Sequence, residues 1–207
     1  HLGSGEIITA QKVIISVPLR VAATTMHLPW ASSALIDTMR RMPTWMSTQA
    51  KAVAIYERPF WRDEGLSGRI ASRFGPLAEV HDHTAVDNAP AALFGFVGWS
   101  PEQRRADSEG LRQAILEQLS ACFGKAAGHP LDLAIQDWAM NPRIVTELDT
   151  LQPATHPDIG PANLRQPLLD GRVRFAVSEA SERSPGLIEG AFAIGEKAAL
   201  GLLGTDR

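Results

Sequence analysis

Gly171-Arg-Val-Arg-Phe-Ala-Val-Ser-Glu179, followed by Pro185-Gly-Leu-Ile-Glu-Gly-Ala-Phe-Ala-Ile-Gly195-Glu-Lys-Ala-Ala199, decides how this chain is read. A short apolar strand runs into a turn of small residues that ends on an acid, and a glycine-rich helix start follows. Small residues there let the backbone approach a ligand closely. The N–H groups and positive dipole end of a helix start suit an anionic or electron-rich group. The stretch predicts a strand over Val173–Ala176, a helix over Leu187–Leu203 and a ligand at their junction.

Outward from this block, three further segments follow a consistent order: Val13-Ile-Ile-Ser-Val-Pro18, Lys51-Ala-Val-Ala-Ile-Tyr-Glu-Arg-Pro-Phe-Trp61 and Gln136-Asp137-Trp138. Together with the terminal block they resemble the flavin-dependent amine oxidases. The FAD signature of that family reads roughly Arg-aliphatic-x-Phe-Ala-Gly-Thr/Ser-Glu, then Gly-Tyr-x-x-Gly-Ala-x-x-Ser/Ala-Gly. The resemblance implies FAD as cofactor, with Pro18, Val177, Ser178, Glu179, Leu187 and Ile188 at its binding segments. It implies that Glu179 accepts hydrogen bonds from the ribityl or pyrophosphate region, and that the Ile188 N–H faces the pyrimidine end of the flavin. It places Trp138 beside the ring, and Lys51 within reach of flavin N5 through a water, where it assists proton handling or O₂ reduction.

The departures from the pattern are equally specific. Val177 stands where the family has Gly. Leu148 and Leu187 stand where many amine oxidases carry the two aromatics that orient the substrate amine, so these leucines are the expected substrate contacts. Glu147 occupies the position of the Cys that bonds FAD covalently in some members, so the cofactor is expected to be non-covalent. No Gly-x-Gly-x-x-Gly follows an early strand, and that loop is how a dinucleotide fold holds the pyrophosphate. The chain is therefore read as the C-terminal part of a longer protein, with a missing N-terminal FAD-binding segment as its partner.

Composition bounds the alternatives. The 207 residues include 44% hydrophobic and 21% charged side chains, enough to build a buried core. A net charge of -3 gives no basic patch for nucleic acid. No apolar run approaches the ~18–20 residues of a membrane span. The single Cys122 excludes an internal disulfide and a cysteine-based zinc site, and is read as a buried structural thiol in a cytoplasmic protein.

Periodicity supplies the elements. Glu6–Thr9 and Lys12–Ser16 read as strands, Ala31–Met42 as a helix, and Ala50–Tyr56 as an alternating strand stopped by Arg58-Pro59. Strand-like runs recur at Gly68–Phe74, Ala78–His81, Ala91–Val97 and Leu131–Trp138. Pro101 opens a helical stretch. Ser108–Phe123 is the clearest helix, with Leu111, Ile115, Leu119 and Cys122 three or four apart, Ser108 as N-cap, and Gly124 and Gly128 ending it. Residues 150–167 are proline-rich and read as a loop.

The expected class is α+β: a mixed β-sheet substrate domain with flanking helices, plus partial FAD-binding α/β elements at both ends. The corresponding division is 1–18 (FAD domain), 19–164 (substrate domain) and 165–207 (C-terminal FAD segment). His81-Asp82-His83 would set two rings on one strand face, but no third ligand is evident and no metal is expected. Ser178 and Ser184 lack a nucleophile elbow. Arg40-Arg41 and Arg104-Arg105 read as exposed helix charges, and Trp30, Trp45, Trp61 and Trp99 as packing residues. The expected activity is oxidation of a C–N bond in a small-molecule amine, with O₂ as acceptor. Two alternatives stand beside it: a related flavoprotein of desaturase type acting on a non-amine, and a folded fragment that binds no FAD and self-associates as a homo-oligomer.

Overall fold

The computed structural model describes residues 3–87, 89–152, 155–156 and 158–204. In chain order the elements are β1 (Val13–Ile15), α1 (Leu19–Thr25), α2 (Ser33–Arg41), β2 (Ala50–Tyr56), β3 (Ile70–Ala71), β4 (Leu77–Asp82), β5 (Ala91–Val97), α3 (Pro101–Ala106), α4 (Ser108–Phe123), β6 (Asp132–Asp137), α5 (Glu147–Leu151), β7 (Val173–Phe175) and α6 (Ile188–Leu203). They form two compact units, 48–141 and the combination of 1–47 with 142–207. These are units of packing. The division into cofactor and substrate domains is a separate, functional assignment.

The unit 48–141 is an antiparallel sheet ordered β3-β4-β5-β2-β6. Alternation builds it. On β2, Ala50, Ala52, Ala54 and Tyr56 are buried, and on β5, Ala91, Leu93 and Val97. Against this face packs α4, through Leu111, Ile115, Leu119 and Phe123. Its N-cap is Asp107, whose carboxylate accepts from the Gly110 N–H at 2.7 Å, one residue before the expected Ser108. From α4, Gln118 also accepts from the Leu77 N–H at 2.8 Å and donates to the Leu77 carbonyl at 2.9 Å. It satisfies β4 backbone groups as a strand partner would.

Trp61 is fully buried and stacks edge-on with Tyr56 and Phe60, at centroid distances of 5.6 and 5.1 Å. Its indole N–H donates to Asp82 Oδ2 at 2.9 Å, so the one polar atom of this core tryptophan is satisfied. Tyr56 donates to the Ala127 carbonyl at 2.8 Å, and burial pushes its phenol well above the usual value.

In the other unit, β1 and β7 pair in parallel, with Val13 opposite Val173 and Ile15 opposite Phe175. Leu19, Ala22, Leu35 and Met39 from α1 and α2 pack with Ile15, Phe175, Val177 and Ile194. Parallel and antiparallel pairing thus both occur, but in separate sheets, and the class is α+β.

Several expectations are corrected. Residues 6–9 form no strand, since a strand needs a paired neighbour. The 68–74 run shrinks to β3. Cys122 is exposed, because the buried stripe of α4 continues from Leu119 by four residues to Phe123. Arg104 is buried on α3. Both α1 and α5 arise where no helix was expected, the last two residues of α5 overlapping the expected 150–167 loop, of which Pro153, Ala154 and Pro157 lie outside the described residues. No helix among the described residues is long and apolar enough to cross a membrane.

Candidate flavin site

In the unit 48–141, Lys51 sits on the sheet face opposite the α4-covered core. Strand alternation puts Lys51, Val53 and Ile55 there, each half-buried. Lys51 is in register with Phe96 on β5 and Gln136 on β6. Its Nζ lies 5.5 Å from the Phe96 ring centroid and 5.9 Å from that of Phe94, within cation–π range. Those rings meet edge to face at 5.0 Å. On β4 the same face carries Glu79, opposite Phe96, and His81, opposite Phe94. His81 Nε2 and Glu79 Oε1 are 2.9 Å apart, and the His83 ring stands 5.8 Å from Phe94.

His81 and His83 therefore share a face, as strand spacing anticipated, but no group of three or more metal-ligating side chains occurs among the described residues. Asp82 points the other way. Partial burial pushes its carboxyl up, but hydrogen bonds from Arg62, Thr84 and Trp61 outweigh this and hold it well below the usual range.

Trp138 follows the end of β6 and opens a single 3-10 turn, Trp138–Met140. The Asp137 carboxylate accepts from the Ala139 N–H at 3.0 Å, and the Trp138 N–H donates to the Gln49 carbonyl at 3.1 Å. The indole is half-buried.

In the other unit, Pro18 ends the β1 segment and precedes α1. After β7, Val177 leads into a 3-10 turn, Ser178–Ala180. Val177 has an extended backbone at φ -117° and its side chain is buried in the apolar cluster. The valine thus fills core where the family pattern has Gly, and no left-handed backbone is required there. Glu179 is only 7% exposed, and its Oε2 accepts from Ser178 Oγ at 3.1 Å. Gly160 passes so close that a Cβ would lie 2.2 Å from the Glu179 carbonyl. Arg165 donates to the Gly160 carbonyl at 2.6 Å and ties this passing strand of chain to the turn.

Leu187 is the N-cap of α6 and Ile188 its first residue, and both are exposed. The first N–H to reach back along the helix is that of Ala191, to the Leu187 carbonyl at 3.0 Å. The N–H groups of Ile188, Glu189 and Gly190 therefore lack helical acceptors. Gly190 is obligatory: a Cβ there would lie 2.2 Å from the Ser184 carbonyl. Leu148, half-buried on α5, is flanked by the buried Asp149, which accepts from the Thr146 N–H at 2.9 Å and from Arg20 at 2.9 Å. Arg20 also donates to the Leu148 carbonyl at 3.2 Å.

These features fit a flavin. A close-approach helix start offers free N–H donors, and a buried carboxylate with a hydroxyl donor can accept from further hydroxyls. A family model described as flavin containing amine oxidoreductase matches residues 1–203. The chain belongs to that family. Members of the flavin amine oxidoreductases similar to it include a probable flavin-containing monoamine oxidase A of Dictyostelium discoideum, 26% identical over 195 residues covering 93% of this chain and 42% of that protein. A putrescine oxidase of Kocuria rosea is 32% identical over 171 residues, covering 75% of this chain and 32% of that protein.

Among solved structures, a putrescine oxidase bound to putrescine superposes with a TM-score of 0.69 at 24% identity, over 94% of this chain and 43% of that one. Cyclohexylamine oxidase from Brevibacterium oxydans does so with a TM-score of 0.65 at 24% identity, over 96% of this chain and 44% of that one. These likenesses establish the fold. The chain spans less than half the length of the relatives it matches.

The sequence reading singled out Lys51, Trp138, Glu179 and the α6 start, but not their supports. Arg20, Arg165, Phe94, Phe96 and the Glu79–His81 pair were missed. A signal existed for the aromatics: strict alternation over 91–97 puts Phe94 and Phe96 on the face of Lys51 once β2 and β5 are paired.

Proposed function

We propose that the protein carrying this chain is an FAD-dependent amine oxidase-like oxidoreductase that oxidises a C–N bond of a small-molecule amine, with O₂ as acceptor. The observation that carries this reading is the terminal block: a buried Glu179 beside Ser178, then a helix start held open by Gly190. The family membership supports it. FAD, bound non-covalently, supplies the hydride acceptor, and dioxygen takes the electrons to give hydrogen peroxide.

The residues have separate proposed roles. Ser178 and Glu179 would hydrogen-bond the ribityl hydroxyls, the Glu179 carboxylate as acceptor. The Ile188 N–H, on the positive end of α6, stabilises negative charge at the pyrimidine end of the ring. Leu187, Pro18 and Val177 shape the cofactor-binding backbone. Trp138 would stand beside the ring. Lys51 Nζ, oriented by the Phe94 and Phe96 rings, holds a water and moves a proton during O₂ reduction. Leu148 and Leu187 present aliphatic surface to the substrate. The division 1–18, 19–164 and 165–207 is the functional counterpart.

A second reading keeps the fold and changes the substrate: Leu148 and Leu187, in place of the two aromatics, favour a non-amine substrate oxidised by desaturation. A panel of amines assayed for hydrogen peroxide separates the two, with Lys51→Met as control. Peroxide from any amine, strongly slowed in Lys51→Met, supports the first reading. Flavin bleaching by a non-amine alone supports the second.

A further inference from the structure

Arg104 of α3 makes four side-chain hydrogen bonds in the unit 48–141. It is 4% exposed. Its Nε donates to Asp137 Oδ2 at 2.7 Å and its Nη2 to Asp137 Oδ1 at 2.8 Å, the planar fork that matches a carboxylate. Nη2 also donates to the Thr48 carbonyl at 2.8 Å, and Nη1 donates to the Trp99 carbonyl. Thr48 precedes β2, Trp99 follows β5, and Asp137 ends β6. One guanidinium thus ties together three strand ends at the same rim of the sheet.

The next residue after Asp137 is Trp138. The two Asp137 oxygens are shared between Arg104 and the Ala139 N–H, so the carboxylate that closes the Trp138 turn is itself oriented by Arg104. We propose that Arg104, acting through Asp137, is the positioning residue for Trp138 and thereby sets how that indole meets the flavin. This inference rests on the reading that Trp138 borders the cofactor. A buried arginine that served only as a strut would stabilise the fold without touching the flavin's environment.

The test uses the intact, flavin-loaded protein and four variants: Arg104→Met, Arg104→Lys, Trp138→Phe and the Arg104→Met/Trp138→Phe double. The flavin absorption bands, the FAD dissociation constant and the thermal midpoint are read for each. Arg104→Met is expected to displace the bands as Trp138→Phe does, and to weaken FAD between about twofold and a hundredfold, the range of coupling between contacting groups. Arg104→Lys, which keeps charge but loses the fork, should show a smaller displacement. The double variant should show no more than Trp138→Phe alone.

Arg104→Met that melts earlier but leaves the bands and FAD affinity unmoved, while Trp138→Phe moves them, overturns the positioning role and spares the cofactor reading. Trp138→Phe that moves neither overturns both. If Arg104→Met does not fold, Arg104→Lys and Asp137→Asn carry the same comparison.

Discussion

The two sheets of this protein differ in how completely they are covered. The five-stranded sheet has a core face closed by α4 and an aromatic cluster centred on the fully buried Trp61. The β1–β7 pair is parallel and only two strands wide, with Val13 and Ile14 each 42% exposed. Parallel strands ordinarily lie inside sheets covered on both faces. The same unit exposes Ile188 and Phe192 of α6 at 79% and 73%, four residues apart on one side of the helix. In the unit 48–141 the most exposed apolar side chains, Phe74, Val86 and Leu131, stand between its strands and helices. In the other, part of the surface has the composition of an interior, and that is where the resemblance puts the cofactor segments.

Trp61→Ala should cost about 3–5 kcal/mol, read by chemical denaturation, and should unfold the unit 48–141 first. In the other unit, Asp149→Ala leaves the 2%-exposed Arg20 guanidinium without its carboxylate, and breaking such a pair costs about 3–5 kcal/mol. A loss under about 1 kcal/mol for Asp149→Ala would mean that the Leu148 segment is not held as described.

Asp82 ties the stability of the unit 48–141 to pH. Its carboxyl titrates lower in the folded protein than in the unfolded chain, because Arg62, Thr84 and Trp61 donate to it. Its contribution is therefore present above the ordinary carboxylate range and is lost as pH falls through and below that range. Asp82→Asn should melt earlier than the parent at neutral pH, and the gap should close as the pH drops below about 4. The smallest effect is expected at the exposed stripe. Phe192→Ser should change unfolding free energy by no more than about 0.5 kcal/mol, while reducing binding of a hydrophobic dye.

Legibility followed from whether the signal was local. The bounds of β5 and α4 were readable because alternation and four-residue spacing run uninterrupted through them. The seven residues of α1 were not, since Leu19-Arg-Val-Ala-Ala-Thr-Thr25 is short and stands between two other breaks. Arg104 looked like its neighbour Arg105, because only the tertiary partners Asp137, Thr48 and Trp99 distinguish a buried guanidinium from a solvated one. Glu179 and the glycine-rich α6 start were singled out through the resemblance carried by the terminal block, and their role there remains the proposal made above. The candidate site was illegible where chemistry depends on cross-strand register, as for Lys51 between Phe94 and Phe96.

The most direct measurement is the visible absorbance spectrum of the intact protein that carries this chain, recorded before and after addition of FAD. The account predicts flavin bands that stay with the protein on gel filtration and are released by denaturation, as a non-covalent cofactor would be. A spectrum without flavin bands, unchanged after FAD is supplied, would contradict it.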